Sequence, residues 1–261
     1  MRPAAKAPGG AELELPAVHS LERGLMAAFL GRLEPAARLL GERGVPGRPA
    51  RFLPGRTLVI VSYQEFTSSP VGPYSQVSVS LPVHLPAGGS EAARGRTLTA
   101  GNPAARAPVL LPLLCQSLWN TERVFRDLHF YVAAIPVSSP HAVPYSSGIW
   151  GEPAWHAAVG RRAATPTGLG FRERRGYRLV SRLGPDVLTD VMLVDAPARL
   201  GFGPWRASLA LGTDERTEPL RAVLGEKPVC IETIAHGTGS VAFGGPRPWS
   251  GGRTGPARGV G

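Results

Sequence analysis

The sequence predicts an α+β fold that is mainly β. Three observations predict it. The 33 glycines and 27 prolines make up just under a quarter of the 261 residues, short of the roughly 25–30% at which low complexity takes over, so turns are many and long helices few. Only 18% of residues are charged, too few for a coiled coil or a long solvated helix. The second half carries five short β-type runs, YRLVSRL, DVLTDVMLV, RASLAL, PVCIETI and SVAFG, parted by Gly, Pro and Asp turns. No period repeats and no βαβ rhythm appears. A hydrophobic content of 43% and a mean hydropathy of −0.02 supply a sizeable core.

From the start of the chain, residues 1–16 read as a flexible arm and residues 250–261 as a disordered Gly/Arg tail, leaving 17–249 as one domain. Between His19 and Leu33, apolar Leu21, Leu25, Met26, Phe29, Leu30 and Leu33 recur at three- and four-residue steps, which predicts a helix behind a Ser20 cap. Pro35 opens a second short helix carrying Ala37, Leu39 and Leu40 and stopping near Gly41 to Gly44. The period then changes to that of strands. TLVIVSYQEF from Thr57 and YSQVSVSLPVHLP from Tyr74, joined by SSPVGP, form an antiparallel pair. A Gly/Ala/Arg loop follows from Ala87 to Ala107. TERVFRDLHFYVAAIPV then reads as a short helix leading into a strand.

Charge and motifs exclude several function classes. The net charge of +10 and pI near 10.7 raise nucleic acid, anionic lipid or acidic substrates as partners. Only Lys6 and Lys227 are lysines, however, and the arginines are scattered except for Arg161, Arg162, Arg172, Arg174, Arg175, Arg178 and Arg182, which face a single Glu173. Without aromatic interleaving or a helix-turn-helix pattern, a solvated loop or strand edge outweighs an anionic-ligand patch, and nucleic acid is disfavoured. Cys115 and Cys230 make neither a disulfide framework nor a zinc site. No apolar leader opens the chain, and the longest apolar run, Pro108 to Cys115, falls far short of the roughly 18 residues of a membrane span. A cytoplasmic location is expected. No P-loop, HExxH, GxSxG or dinucleotide glycine motif is present, so no cofactor and no metal is expected. The six histidines, His19, His84, His129, His141, His156 and His236, form no i, i+4 pair, and each alone is ordinarily a hydrogen-bonded or surface residue.

The densest chemistry lies in SSPHAVPYSSGIWGEPAWHAAV, Ser138 to Val159, which reads either as a pocket wall or as a turn-rich loop whose tryptophans plug the core. Trp150, Trp155, Tyr145 and His141 would hold a flat or apolar substrate, while Glu152 and His156 would move protons.

GIWGEPAW resembles the acetoacetate decarboxylase family's stretch G-R-E-x-W/Y-G-x-P-K, whose lysine forms the Schiff base with substrate. VGPYSQV resembles that family's G-x-Y-x-E strand, and EPLRAVLGEKPVCIETIAHGTGSVAFG its closing strands, so the resemblance spans about residues 45 to 245. It implies a cone-shaped β-barrel of antiparallel sheets with a few short helices, and a homo-oligomer. Three departures matter. The Schiff-base position is Ala154, followed by Trp155 where the decarboxylases have a second lysine; the strand glutamate is Gln76; and Gly-Arg is replaced by Ser146 and Ser147. The paired lysines are how the family lowers the nucleophile's pKa. Lysine-dependent decarboxylation is therefore disfavoured, and a migrated nucleophile at Lys227 is a minor alternative, because a turn lysine is ordinarily solvated.

The expectation is a Schiff-base-independent enzyme of bacterial specialised metabolism, such as antibiotic biosynthesis. It would cyclise, by a pericyclic route among others, or dehydrate a polyketide-like or β-dicarbonyl substrate in an apolar funnel. Gln76 and Tyr74 would polarise a carbonyl, Glu152 or His156 would move a proton, and Trp150, Trp155, Ala154, His141, Tyr145 and Tyr63 would line the site. The alternative is a non-catalytic small-molecule binder on the same fold.

Overall fold

A computed structural model describes residues 5–6, 12–13, 16–86, 128–159, 169–183, 186–202, 209, 211–225, 228–234, 239–244 and 247–248. In chain order the elements are β1 (Ala5–Lys6), β2 (Glu12–Leu13), β3 (Ala17–Arg32), α1 (Leu33–Glu42), β4 (Arg48–Pro49), β5 (Arg56–Ser68), β6 (Tyr74–His84) and β7 (His129–Val137). Then come α2 (Ala142–Trp150), β8 (Ala154–His156), β9 (Leu169–Leu183), β10 (Asp186–Phe202), a 3-10 turn (Glu215–Thr217), α3 (Glu218–Val223), β11 (Pro228–Ile234), β12 (Gly239–Phe243) and β13 (Arg247–Pro248). The strands run β6-β5-β3-β11-β10-β9-β7, and β6 pairs with β7, so seven strands close into a barrel. Closure removes the unpaired edges that an open sheet would present. Two short strands share one slot in the wall: β11 pairs with Gly24–Phe29 of β3 and Ala198–Phe202 of β10, while β12 pairs with Ala17–Leu21 and Met192–Asp195 of the same two strands. Beside the barrel, β1 and β2 pair with each other inside the segment expected to be a flexible arm.

Alternation along each strand divides the core into two layers. Leu58, Ile60 and Phe66 of β5, Phe130 and Val132 of β7, Tyr177 and Leu179 of β9, Met192 and Val194 of β10, and Val241 and Phe243 of β12 pack together inside the ring. Their neighbours of opposite parity, such as Val59, Val61, Tyr131 and Val180, pack outside it against Ala36, Leu39 and Leu40 of α1 and Leu220 and Val223 of α3. Both faces of β5 are therefore buried, which explains its near-continuous apolar run.

The expected helix from His19 to Leu33 is instead the long strand β3. The reason lies in two register shifts against β5, between Ser20 and Leu21 and between Leu21 and Arg23. Ala17 and Leu21 belong to the inner layer before the shifts; after them the inner residues are Met26, Ala28 and Leu30, and Leu25, Ala27 and Phe29 lie outside. An irregular step of this kind moves the apolar parity from odd to even, so residues from two faces of a strand imitate one face of a helix. Pairing on both sides, with β5 and with β11 and β12, overrides the local propensity.

The second expected helix is α1. Pro35 sits in its first turn, where a missing N–H is harmless. Its buried side is Ala36, Leu39 and Leu40, whereas Ala37 is exposed; each fully buried leucine contributes on the order of 2 kcal/mol. The chain leaves the helix through Gly44 at φ 62, with the Val45 N–H bonded to the Leu40 carbonyl. The expected antiparallel pair of β5 and β6 is present, with Phe66 opposite Tyr74 where SSPVGP turns the chain. The runs YRLVSRL, DVLTDVMLV, PVCIETI and SVAFG are all strands, but Leu209 and Leu211 of RASLAL lie in no strand. The Ala87–Ala107 loop and the expected helix before β7 lie outside the described residues.

Of the two readings of Ser138–Val159, the turn-rich loop is the one corrected. It forms α2 and β8, because burial wins over the breakers Pro144 and Gly148: Ala142, Tyr145, Ser146, Ser147, Gly148, Ile149 and Trp150 are all buried. A helix buried almost all round needs no amphipathic pattern. It ends at Gly151, φ 67, where an added Cβ would stand 2.5 Å from Ser181 Oγ. Gly151→Ala is therefore expected to cost about 1–2 kcal/mol from the left-handed backbone alone, with the clash in addition. Thermal melting should show a loss of roughly 2–4 °C for each kcal/mol.

Candidate functional site

The inner wall of the barrel carries a polar stripe where β5 and β6 face each other. Phe66 pairs with Tyr74, Gln64 with Gln76 and Ser62 with Ser78, and Val137 of β7 flanks Gln76 on the other side. Gln76 is fully buried. The Trp150 indole N–H donates to Gln76 Oε1 at 3.1 Å, and Gln76 Nε2 donates to Gln64 Oε1 at 3.5 Å. Because an indole is a donor only, this contact fixes which end of the Gln76 amide faces α2.

Ala154 opens β8, which lies across β7 from β6. β8 lies parallel to β7, with Ala154 opposite Ile135, and Ala154 packs against the inner layer while Trp155 packs in the outer one. Ser147 holds the junction: its Oγ donates to the Val143 carbonyl at 2.9 Å and accepts the Ala154 N–H at 2.8 Å. Ala154 thus presents a methyl group to the barrel's inner side.

Next to Gln76 lies a group that the sequence did not single out. His19 of β3 is 0% exposed. Its ring is surrounded by Phe66, Phe243, Tyr145 and Tyr74, with centroids at 4.7, 5.3, 5.6 and 6.3 Å. The Tyr74 hydroxyl lies 3.5 Å from His19 Nε2. Burial pushes the His19 pKa down to about 4, with the carbonyls of Val241 and Ala17 pulling the other way, so the imidazole is neutral at neutral pH. Burial likewise pushes both tyrosine hydroxyls up. Ser146 is near enough to Tyr74 to pull against that shift, yet Ser146 Oγ, Tyr145 OH and His19 Nδ1 make no hydrogen bond of ordinary geometry.

The structure thus brings together Gln76, Tyr74, Trp150, Ala154 and Tyr145 of the expected site residues, and adds His19, Gln64 and Ser146. It sets the others apart. Glu152 turns to the outer layer, where its carboxylate accepts the Arg182 N–H at 2.8 Å and meets Tyr131. Burial pushes its pKa up to about 7, against the pull of the Arg182 N–H, Arg43 and Tyr131. Trp155 lies under Arg216, whose guanidinium carbon is 4.8 Å from the ring centre. His156 and His141 are exposed. Tyr63, of opposite parity to Gln64, bonds Glu65 at 3.4 Å and Ser75 at 3.3 Å. Lys227, His236 and the cysteine side chains lie outside the described residues. Of the arginine cluster, Arg182 donates to the Gly44 carbonyl at 2.5 Å and Arg178 is exposed. Among the described residues no group of three His, Cys, Asp or Glu could hold a metal ion, and no helix is long and apolar enough to cross a membrane.

The closed seven-strand barrel with short helices outside and one packed within is the acetoacetate decarboxylase-like fold. The solved structures similar to it include the enduracididine biosynthesis enzyme MppR in two complexes. One holds the condensation product of pyruvate and imidazole 4-carboxaldehyde (TM-score 0.51, 12% identity, 90% of each chain covered). The other holds pyruvate (TM-score 0.50, 12% identity, 95% of this chain and 98% of that one). Acetoacetate decarboxylase of Legionella pneumophila matches at a TM-score of 0.44 and 10% identity, over 93% of this chain and 92% of that one. No family model and no curated protein matches the sequence.

Proposed function

We propose that this protein is a Schiff-base-independent enzyme that takes a small β-dicarbonyl or polyketide-like substrate into the barrel and closes a ring on it or removes water from it. One observation carries the reading: a methyl group, Ala154, packs against the inner layer that also holds Trp150, the first member of a directional hydrogen-bond chain, Trp150 to Gln76 to Gln64. Without an amine at that position no imine forms there, and the available catalysis is positioning and polarisation. The apolar inner layer would hold the chain in a folded, near-attack shape, which can supply several kcal/mol of barrier lowering. The Gln76 amide N–H would turn from Gln64 to a substrate carbonyl and stabilise charge developing on its oxygen. MppR, on the same fold, holds pyruvate and a condensation product, which supports a carbonyl ligand for this chain too.

The test is ring closure of the 3,5-dioxohexanoyl thioester of N-acetylcysteamine, followed by absorbance and mass. Acceleration above the spontaneous rate is expected, and Gln76→Leu should abolish it. That variant also strands the Trp150 N–H inside the barrel, so a stability loss of about 1–3 kcal/mol is expected. Binding without turnover would favour the passive binder.

A further inference from the structure

Hydrogen-bonding groups that are buried and unpaired are rare in native proteins, because each forfeits its bonds to water and gains nothing in return. One occurs here, Tyr145 OH, on a residue 5% exposed, and beside it two buried groups fall short of ordinary hydrogen-bond geometry: Ser146 Oγ, near Tyr74, and His19 Nδ1, on a ring drawn on by the Val241 and Ala17 carbonyls. Tyr145 and Ser146 are consecutive on α2, and His19 stands across from them on β3, 5.6 Å from the Tyr145 ring. The group is continuous with the Gln76 site: Phe243 touches both the His19 and the Trp150 rings, at 5.3 and 4.9 Å, and Tyr74 shares the inner face of β6 with Gln76 two residues on.

We propose that His19, Tyr74 and Tyr145 form a second binding point, which receives an oxygen of an uncharged ligand such as the enol of a β-diketone. The inference deepens the reading of the barrel as a ligand site and rests on it. Lack of charge follows from the inventory of the group. Its hydrogen-bonding members are two phenols, a hydroxyl and an imidazole kept neutral by burial. None of them can balance a carboxylate, and an unpaired buried carboxylate is strongly disfavoured. A neutral enol oxygen, by contrast, both gives and accepts hydrogen bonds and so suits groups that do the same.

Tyr145→Phe separates a binding role from a structural one. It removes a single oxygen that bonds to nothing in the free protein, so the variant should melt at the same temperature or higher, while ligand binding falls. The experiment is calorimetric titration at pH 6.5 with benzoylacetone and with benzoylacetate, which keeps the skeleton but ends in a carboxylate. Benzoylacetone is expected to bind at least tenfold more tightly than benzoylacetate, and Tyr145→Phe and His19→Phe are each expected to weaken it tenfold or more. Equal or tighter binding of benzoylacetate overturns the assignment, as does undiminished benzoylacetone binding in folded Tyr145→Phe. If that binding persists there but is lost in Gln76→Leu, the barrel remains the ligand site and only the second point falls. If neither compound binds the wild type, both readings fall together.

Discussion

Ala154→Lys is expected to form a covalent adduct with keto acids that the wild type does not form. Ala154 is half-buried against the inner layer, with its N–H pinned by Ser147 Oγ. A lysine there would carry its amine into surroundings lined by Phe, Trp, Tyr and Gln side chains. Removal from water disfavours the ammonium form, so the amine's pKa falls and more of it is free at neutral pH. A free amine adds to the keto carbon of pyruvate or acetoacetate and loses water to give an imine, which borohydride reduces to a stable secondary amine. Intact mass should show one such adduct on the variant and none on the wild type. A folded variant that gains no mass would mean that residue 154 does not open onto the space where carbonyl compounds bind. An adduct on the wild type would point to one of its own amines, Lys227 foremost, and would overturn the Schiff-base-independent reading.

The fold was legible where strands keep one parity and illegible where they change it. The β5 and β6 runs alternate or fill both faces without interruption, and their pairing and turn follow from the sequence directly. β3 contains a register shift, which appears in sequence as a drift of apolar residues from odd to even positions and is then indistinguishable from a helical period. Only the partner strands settle it. Likewise α2 contains Pro144 and Gly148, and what makes it helical is enclosure by the barrel, a long-range effect.

Of the residues the sequence offers for the site, Gln76 and Trp150 share a hydrogen bond and Ala154 packs against the layer that holds Trp150. Glu152, Trp155 and His156 were chosen because titratable and aromatic residues crowd one short segment. Crowding in sequence does not set direction: Ala154 and Trp155 are adjacent on a strand and so belong to opposite layers. His19 was missed because a lone histidine on an expected helix carries no signal. The alternation Ala17, His19, Leu21 would have placed it on an inner face had the strand been recognised.

Glu152 shows what that segment does instead, and its titration gives the second large prediction. Glu152 is 6% exposed, and its carboxyl ties the end of α2 to the backbone of β9 through the Arg182 N–H. Burial raises its folded pKa from 4.5 to about 7, so between these values the unfolded chain has released the proton and the folded chain still holds it. The folded state then binds more protons, and stability falls as pH rises through this window. Below pH 4.5 both states are protonated and nothing is lost. Above pH 7 both are ionised and the deficit is constant, at about 3 kcal/mol on the scale of 1.36 kcal/mol per unit. Glu152→Gln keeps the shape and the acceptor for the Arg182 N–H and removes the ionisation. Denaturant unfolding should therefore give the variant little advantage at pH 4.5 and one of about 3 kcal/mol at pH 8, with catalysis unchanged because the side chain lies in the outer layer. An advantage that is flat with pH would show that Glu152 titrates alike in the folded and unfolded chain. A loss of turnover in a stable Glu152→Gln protein would return this carboxyl to the catalytic role its sequence context suggests.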